Sequence, residues 1–303
     1  MATDTLAPEI KNEDSPRGFG FVLTAYLLWG VLPLYMKAMA HIPAMEVIAH
    51  RIFWSVPVAG AVLLALGRMG DVKAALSNPR TVAMASLTAT LITINWGTYV
   101  WAIGAGHSLD AALGYFINPL FSIALGALLL KERLAPAQIV AIGLAGAAVV
   151  ILTVEAGTLP WVALSLTFSW GFYAFFRKTL PVGPNQGFFL EVLLLCIPAT
   201  LYILYLEARG EGHFYQTGLS DTALLLGCGL VTALPLMIFA NGAKLLKLST
   251  IGIMQYIVPT MVFLIAVFLF KEPFGTTQMI AFSLIWAGLA LYSWSMLSQS
   301  RSR

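Results

Sequence analysis

The sequence predicts an all-α membrane protein with ten transmembrane helices arranged as two inverted five-helix repeats. Three observations predict it: a composition no aqueous surface accommodates, ten apolar runs of spanning length, and a self-similarity at a shift of 140–141 residues. Of the 303 residues, 59% are hydrophobic and 10% charged, and mean hydropathy is +0.85. Soluble chains carry roughly a quarter charged residues. A helical span takes about 20 apolar residues, so ten spans use about two thirds of the chain. Only short loops are left, with no room for a soluble catalytic or nucleotide-binding domain. The net charge of +3 gives no argument for nucleic acid as a partner.

The elements follow in order. Residues 1–16, MATDTLAPEIKNEDSP, form a polar tail without the apolar core of a signal peptide. No cleavage is expected, and the first span serves as the insertion signal. Apolar runs between polar punctuation give spans at 18–39, 44–67, 81–103, 109–130, 137–154, 159–177, 185–206, 221–243, 249–270 and 276–297. The runs are about twice as long as barrel strands, and a lone strand would leave its backbone groups bare in lipid. Helices are therefore expected.

Alternate loops carry the cations. With the amino end inside, the cytoplasmic side holds Lys11, Arg17, Arg68, Lys73, Arg80, Lys131, Arg133, Arg177, Lys178, Lys244, Lys247, Arg301 and Arg303. The other side holds Lys37, Arg51, Arg209 and Lys271. Thirteen against four predicts both termini in the cytoplasm. Residues 298–303 are then a second cytoplasmic tail. Cys196 and Cys228 lie within apolar runs and are expected as free thiols.

A shift of 140 brings Pro119 onto Pro259, Lys131-Glu132 onto Lys271-Glu272, and Gln138 onto Gln278. A shift of 141 pairs Trp29-Gly30 with Trp170-Gly171, Lys37 with Lys178, and Pro57 with Pro198. Leu and Ala coincidences mean little in apolar helices; proline, Trp-Gly and Lys-Glu coincidences at one shift mean more. The repeats are residues 17–154 and 155–297. Each holds five spans, an odd number, so the second copy inserts upside down. Inverted repeats are a common construction of secondary transporters, with the site between the halves near the midplane.

Tyr26-Leu-Leu-Trp-Gly30, Pro33-Leu-Tyr35, Glu46-Val-Ile-Ala-His-Arg-Ile-Phe-Trp54, and Gly114-Tyr-Phe-Ile-Asn-Pro119 followed by Lys131-Glu132 resemble the RarD-type branch of the EamA family, within the drug/metabolite transporter superfamily. The resemblance runs over about residues 17–297. It implies a ten-helix exporter of the bacterial cytoplasmic (inner) membrane. It also implies amino acids and related small metabolites as cargo, often with broad selectivity.

Polar groups at membrane depth are costly unless they find partners, so they are the candidate binding residues. The third span offers Asn95 and Tyr99 on one face, with Trp101 nearby. The fourth offers Tyr115 and Asn118 beside Pro119. The ninth offers Gln255 and Tyr256 beside Pro259, and the sixth offers Tyr173. Together they suggest aromatic cavity walls with a few inward amides and hydroxyls. Interfacial aromatics and interhelical amide bonds are the alternative role for the same residues.

Glu191 and His50 correspond at a shift of 141 and are candidate gate or proton-sensitive groups, one toward each mouth. Glu46 and Arg51 read instead as a self-neutralising cluster with His50. Pro119 and Pro259 interrupt their helices and free backbone carbonyls, so they are candidate hinges. The Lys-Glu pairs that follow read as helix caps.

The expectation is a carrier that exports small amphipathic metabolites, most of all amino acids including aromatic ones, by alternating access. It is expected to be a monomer or weak dimer among membrane lipids, without cofactor or metal. An ion channel is the alternative, although no filter loop appears. An intramembrane enzyme is the more distant one, since only His41 and Glu46 suggest a catalytic pair and neither HExxH nor G-x-S-x-G occurs. No ATP-binding loop is present to make it a pump.

Overall fold

The computed structural model describes residues 15–130, 134–243, 245–246, 250–251 and 254–301. Helices and turns account for the described residues, with no strand among them. The helices are α1 (Pro16–Ala38), α2 (Ala44–Ala65), α3 (Met69–Leu76), α4 (Pro79–Ala105), α5 (Ser108–Leu130), α6 (Pro136–Ala156), α7 (Trp161–Thr179), α8 (Pro184–Arg209), α9 (Leu219–Ala243), α10 (Ile257–Leu264) and α11 (Thr276–Arg301). A π-helical turn, Ile265–Leu269, continues α10. Five of these are long and apolar enough to cross a membrane by length and composition: α1, α2, α6, α8, and residues Leu219–Phe239 of α9. Among the described residues the regular structure is thus all helical, consistent with a membrane protein.

Local sequence sets the helix ends. Asn78 caps α4, its Oδ1 accepting from the backbone N–H of Arg80 (3.0 Å) and Thr81 (3.3 Å). Those are two of the donors that the first turn leaves without intrahelical partners. Gly106 stops α4 at φ 81°, a left-handed conformation that glycine adopts without steric cost. The short helix α3 lies in a segment the hydropathy pattern leaves as loop. It docks through buried Val72 and Ala75, and Gln186 Nε2 donates to Asp71 Oδ2 at 3.0 Å. The Arg68 guanidinium, 2.6 Å from the same oxygen, and Gln186 hold the Asp71 carboxyl below its ordinary range.

Side-chain pairings give the helix directions. Asp71, beyond the carboxyl end of α2, meets Gln186 at the amino end of α8, while Glu46 at the start of α2 meets His213 beyond the end of α8. The two helices are antiparallel. Asn95 with Ser169, and Thr98 with Ser165, make α4 and α7 antiparallel as well.

The principal packings between residues 16–156 and residues 161–301 are α1 with α9, α4 with α7, α2 with α8 and α9, α4 with α8, α5 with α7, α1 with α10, α5 with α10, and α6 with α11. Number the long segments one to ten, omitting α3 and counting α10 with its π-turn as the ninth. Exchanging each segment with the one five places away then leaves this list unchanged. The Trp-Gly pairs illustrate the correspondence. A Cβ on Gly30 would run into Met261, and one on Gly171 would run into Phe121. Each glycine thus seats a large side chain from the other half, and those side chains are themselves 140 positions apart.

One correspondence is broken. Helix α5 runs unbroken through Pro119. The equivalent stretch turns at Gln255–Tyr256 before α10 begins, and Pro259 sits in the first turn of α10. There its missing N–H removes no intrahelical bond, whereas Pro119 removes one from the middle of α5.

Candidate functional site

A buried arginine lies toward the amino end of α2. Arg51 lies within α2 and is 3% exposed. Its Nε donates to Thr232 Oγ1 of α9 at 3.0 Å, and its guanidinium carbon lies 4.8 Å from the centroid of the Trp96 ring. The hydroxyls of Tyr99 and Tyr115 and the Cys228 thiol are near enough to feel its charge. Nη1 is buried without an acceptor among the described residues. The two tyrosine rings are 5.8 Å apart.

Asn95 ties this cluster together. Its Nδ2 donates to Leu166 O and Ser169 Oγ, both at 3.1 Å, and its Oδ1 accepts from the Tyr115 hydroxyl at 3.2 Å. These partners come from α7 and α5, so the amide joins three helices. Asn118, one turn beyond Tyr115 on α5, is buried, and its Oδ1 has no partner among the described residues.

A second buried cluster lies toward the amino end of α8. Glu191 is 1% exposed. Arg177 Nε stands 3.3 Å from its Oε1, and the Tyr173 hydroxyl donates to its Oε2 at 3.2 Å. Arg177 also donates to Pro184 O at 2.7 Å, pinning the α7–α8 turn. Arg51 and Glu191 each follow the first residue of their helix by seven positions, at Ala44 and Pro184. Because the two helices are antiparallel, the buried cation and the buried carboxylate lie toward opposite ends of the pair.

The opposite end is tied by polar clasps. Glu46 accepts from the backbone N–H of His213 (2.6 Å), and its other oxygen lies 2.8 Å from His213 Nδ1. His41 pairs with Asp221 at 3.0 Å. Both Glu272 oxygens accept backbone N–H bonds at the start of α5, from Ser108 and Leu109, each at 2.9 Å. Glu272 thus caps a helix other than the one it follows, where the positive end of the dipole favours a carboxylate. Lys271 before it adopts a left-handed φ of 56° that ends the π-turn. Lys131-Glu132 lie outside the described residues.

The predicted residues therefore separate. Tyr99, Tyr115 and Asn95 meet around Arg51, with Asn118 one turn away, whereas Tyr173 belongs to the Glu191 cluster. Tyr256 lines a groove of about 460 Å³ with Phe116, Thr260 and Trp286, and Gln255 is half-buried beside it. Trp101 is 39% exposed at the end of α4, stacked on His107 at 5.3 Å and 4.9 Å from Trp161. His50 accepts from Trp54 Nε1 at 3.2 Å and lies 5.0 Å from the Phe214 ring. Arg51 is the residue that sequence reasoning gave the wrong company. One signal was available. Five residues along a helix turn about 140° from each other, so Glu46 and Arg51 cannot share a face.

Comparison with known proteins gives this architecture a family. The EamA-like transporter family matches the chain twice, over residues 16–154 and 159–294. The chain belongs to the EamA-like transporter family. It is 41% identical to protein RarD of Streptomyces exfoliatus, over 94% of this chain and 89% of that one. It is 36% identical to protein RarD of Escherichia coli (strain K12), over 91% and 93%, which supports the RarD-type branch. A chloramphenicol-sensitive protein RarD of Pseudomonas aeruginosa is 30% identical over 92% and 94%. One solved crystal structure shares the fold at a TM-score of 0.60 and 21% identity, covering 96% of this chain and 100% of that one. The EamA chain described here is a membrane transporter, and its substrate is a small molecule.

Proposed function

We propose that the protein is a secondary carrier of the bacterial inner membrane that exports small amphipathic metabolites by alternating access. Amino acids, including aromatic ones, are the cargo, taken with broad selectivity. Ten spanning helices, two inverted repeats and cytoplasmic termini belong to this reading. The observation that carries it is the packing between the halves, whose principal helix pairings are unchanged when the halves are exchanged. Such a pair of halves can trade conformations around a site between them. The double family match supports the division into repeats. The unbroken α5 beside a turn at Gln255–Tyr256 supports the trade, because the halves differ where the hinge prolines stand. Asn95, Tyr99, Tyr115 and Asn118 would supply contacts at the centre. Tyr173, Gln255, Tyr256 and Trp101 would act along the route, and Glu191 and His50 would act at the two gates.

Counterflow tests the reading. Proteoliposomes loaded with single unlabelled amino acids are diluted into buffer containing a tracer of the same compound, with and without an imposed proton gradient. The expected result is transient, saturable tracer accumulation for several amino acids. The buried carboxylates among the described residues, Glu46, Glu191 and Asp221, all have cationic or imidazole partners, so accumulation is expected without the gradient too. Flux linear in concentration, with no counterflow, would make the protein a channel instead.

A further inference from the structure

We propose that Arg51 is the anchor for a carboxylate on the transported molecule. This rests on the carrier reading and adds the charge class of the cargo. Arg51 is a guanidinium buried to 3% exposure, and no acidic side chain among the described residues pairs with it. The two acids that could do so are engaged elsewhere: Glu46 is held by His213 and Glu191 by Arg177 and Tyr173. Thr232 and the Trp96 ring orient the cation but do not neutralise it. A buried charge without a counter-charge is costly, and the cost falls when an anion arrives. Nη1, buried and without an acceptor, is the group left to make that contact.

The chemistry narrows the ligand. A planar guanidinium fork matches a carboxylate, binding both oxygens in parallel. One cation balances one negative charge. A phosphate dianion would leave a surplus charge in the same low-dielectric surroundings, so a monoanionic group fits better. The rings of Trp96, Tyr99 and Tyr115 offer apolar surface beside the cation for the rest of the molecule. The open Oδ1 of Asn118, one turn beyond Tyr115, offers an acceptor for an N–H. A free monocarboxylate with an apolar body meets these features, and an amino-acid zwitterion meets all of them.

The test measures binding apart from transport. The full chain in lipid nanodiscs is titrated with the twenty amino acids, acetate and benzoate, and with the methyl ester of each, reading thermal stabilisation. Free carboxylates are expected to stabilise the protein and their esters are not. Arg51→Gln should weaken the stabilising carboxylates about tenfold or more, the range for a lost charged hydrogen bond. Arg51→Lys, which keeps the charge but not the fork, should recover part of that affinity. If Arg51→Gln does not fold, the acid-against-ester comparison on wild-type protein still decides. Equal stabilisation by acids and esters, stabilisation by none of the acids, or wild-type affinity in a folded Arg51→Gln would each overturn the proposal. Counterflow on the same preparations keeps the two readings apart. Exchange of neutral or cationic compounds without carboxylate binding removes the anchor and leaves the carrier. Carboxylate binding without any counterflow removes the carrier and leaves the anchor.

Discussion

Replacing Arg177 with alanine is expected to cost about 3–5 kcal/mol of folding stability, the range for breaking a buried ion pair from one side. The partner left behind is Glu191, which is 1% exposed. The hydroxyls that remain beside it, Tyr173 at 3.2 Å and Thr88, can donate hydrogen bonds but supply no charge. The Arg177 bond to Pro184 O at the α7–α8 turn is lost as well. The pair itself is a different matter, because desolvating both ions costs about as much as their attraction returns. An Arg177→Met/Glu191→Leu protein should therefore unfold much closer to wild type than Arg177→Ala does. Thermal unfolding of the three proteins in detergent reads both comparisons. If Arg177→Ala unfolds at the wild-type temperature, the pair is too well solvated to matter.

Gly229→Leu should be the other severe substitution. Helices α2 and α9 meet where any Cβ on Gly229 would run into the carbonyl group of Trp54. A backbone atom has no rotamer with which to retreat, so the helices must move apart. Overpacking of this kind costs about 1–3 kcal/mol, and sometimes more. The displacement also reaches the buried arginine, since Arg51 precedes Trp54 by one turn and Thr232 follows Gly229 by one turn. Widening the contact lengthens the 3.0 Å bond between Arg51 and Thr232. Lower thermal stability and lost counterflow are expected together. Gly146→Ala is the control: a Cβ there meets nothing within 4 Å, so it should be neutral or slightly stabilising through helix propensity. Equal behaviour of the two variants would mean that α2 and α9 tolerate separation.

The positions of the long helices were legible because lipid allows few alternatives: an apolar run of spanning length must satisfy its backbone internally, and only a helix does so. The Trp-Gly and proline coincidences were legible for a related reason, since close helix contacts and kinks require particular residue types. Helix α3 was missed because its apolar positions are few and its docking depends on Gln186, more than a hundred residues away in sequence. The cluster around Arg51 was half legible. Asn95, Tyr99 and Tyr115 stood out as polar groups at depth, but their partners lie on other helices and no spacing reveals them. The same holds for Arg51, whose contacts are Thr232 and Trp96 and not its neighbours in sequence. Trp101 shares a helix with Asn95 and Tyr99 but falls at the helix end, where its ring stacks on His107. The role of Glu272 was hidden too, because a carboxylate after one helix gave no sign that it would cap another.

The central claim is that the halves exchange shapes, with Pro119 and Pro259 as their hinges. Cysteine accessibility tests it most directly, on a background with Cys196 and Cys228 replaced by alanine. Reporters are Ala85→Cys near the start of α4 and Ala111→Cys near the start of α5. Both alanines are fully buried, and they lie toward opposite ends of the molecule because α5 begins where α4 ends. Each reporter is labelled in liposomes with a membrane-permeant maleimide, in wild type, Pro119→Ala and Pro259→Ala. Replacing Pro119 restores a backbone hydrogen bond within α5 and stiffens that arm, whereas replacing Pro259 removes the ring that favours a helix start and lets α10 continue back through the Gln255–Tyr256 turn. The account predicts that one variant raises labelling at Ala85→Cys and lowers it at Ala111→Cys, and that the other variant does the reverse, while turnover falls in both. Identical labelling in all three proteins with normal counterflow, or both reporters opening together, would contradict it.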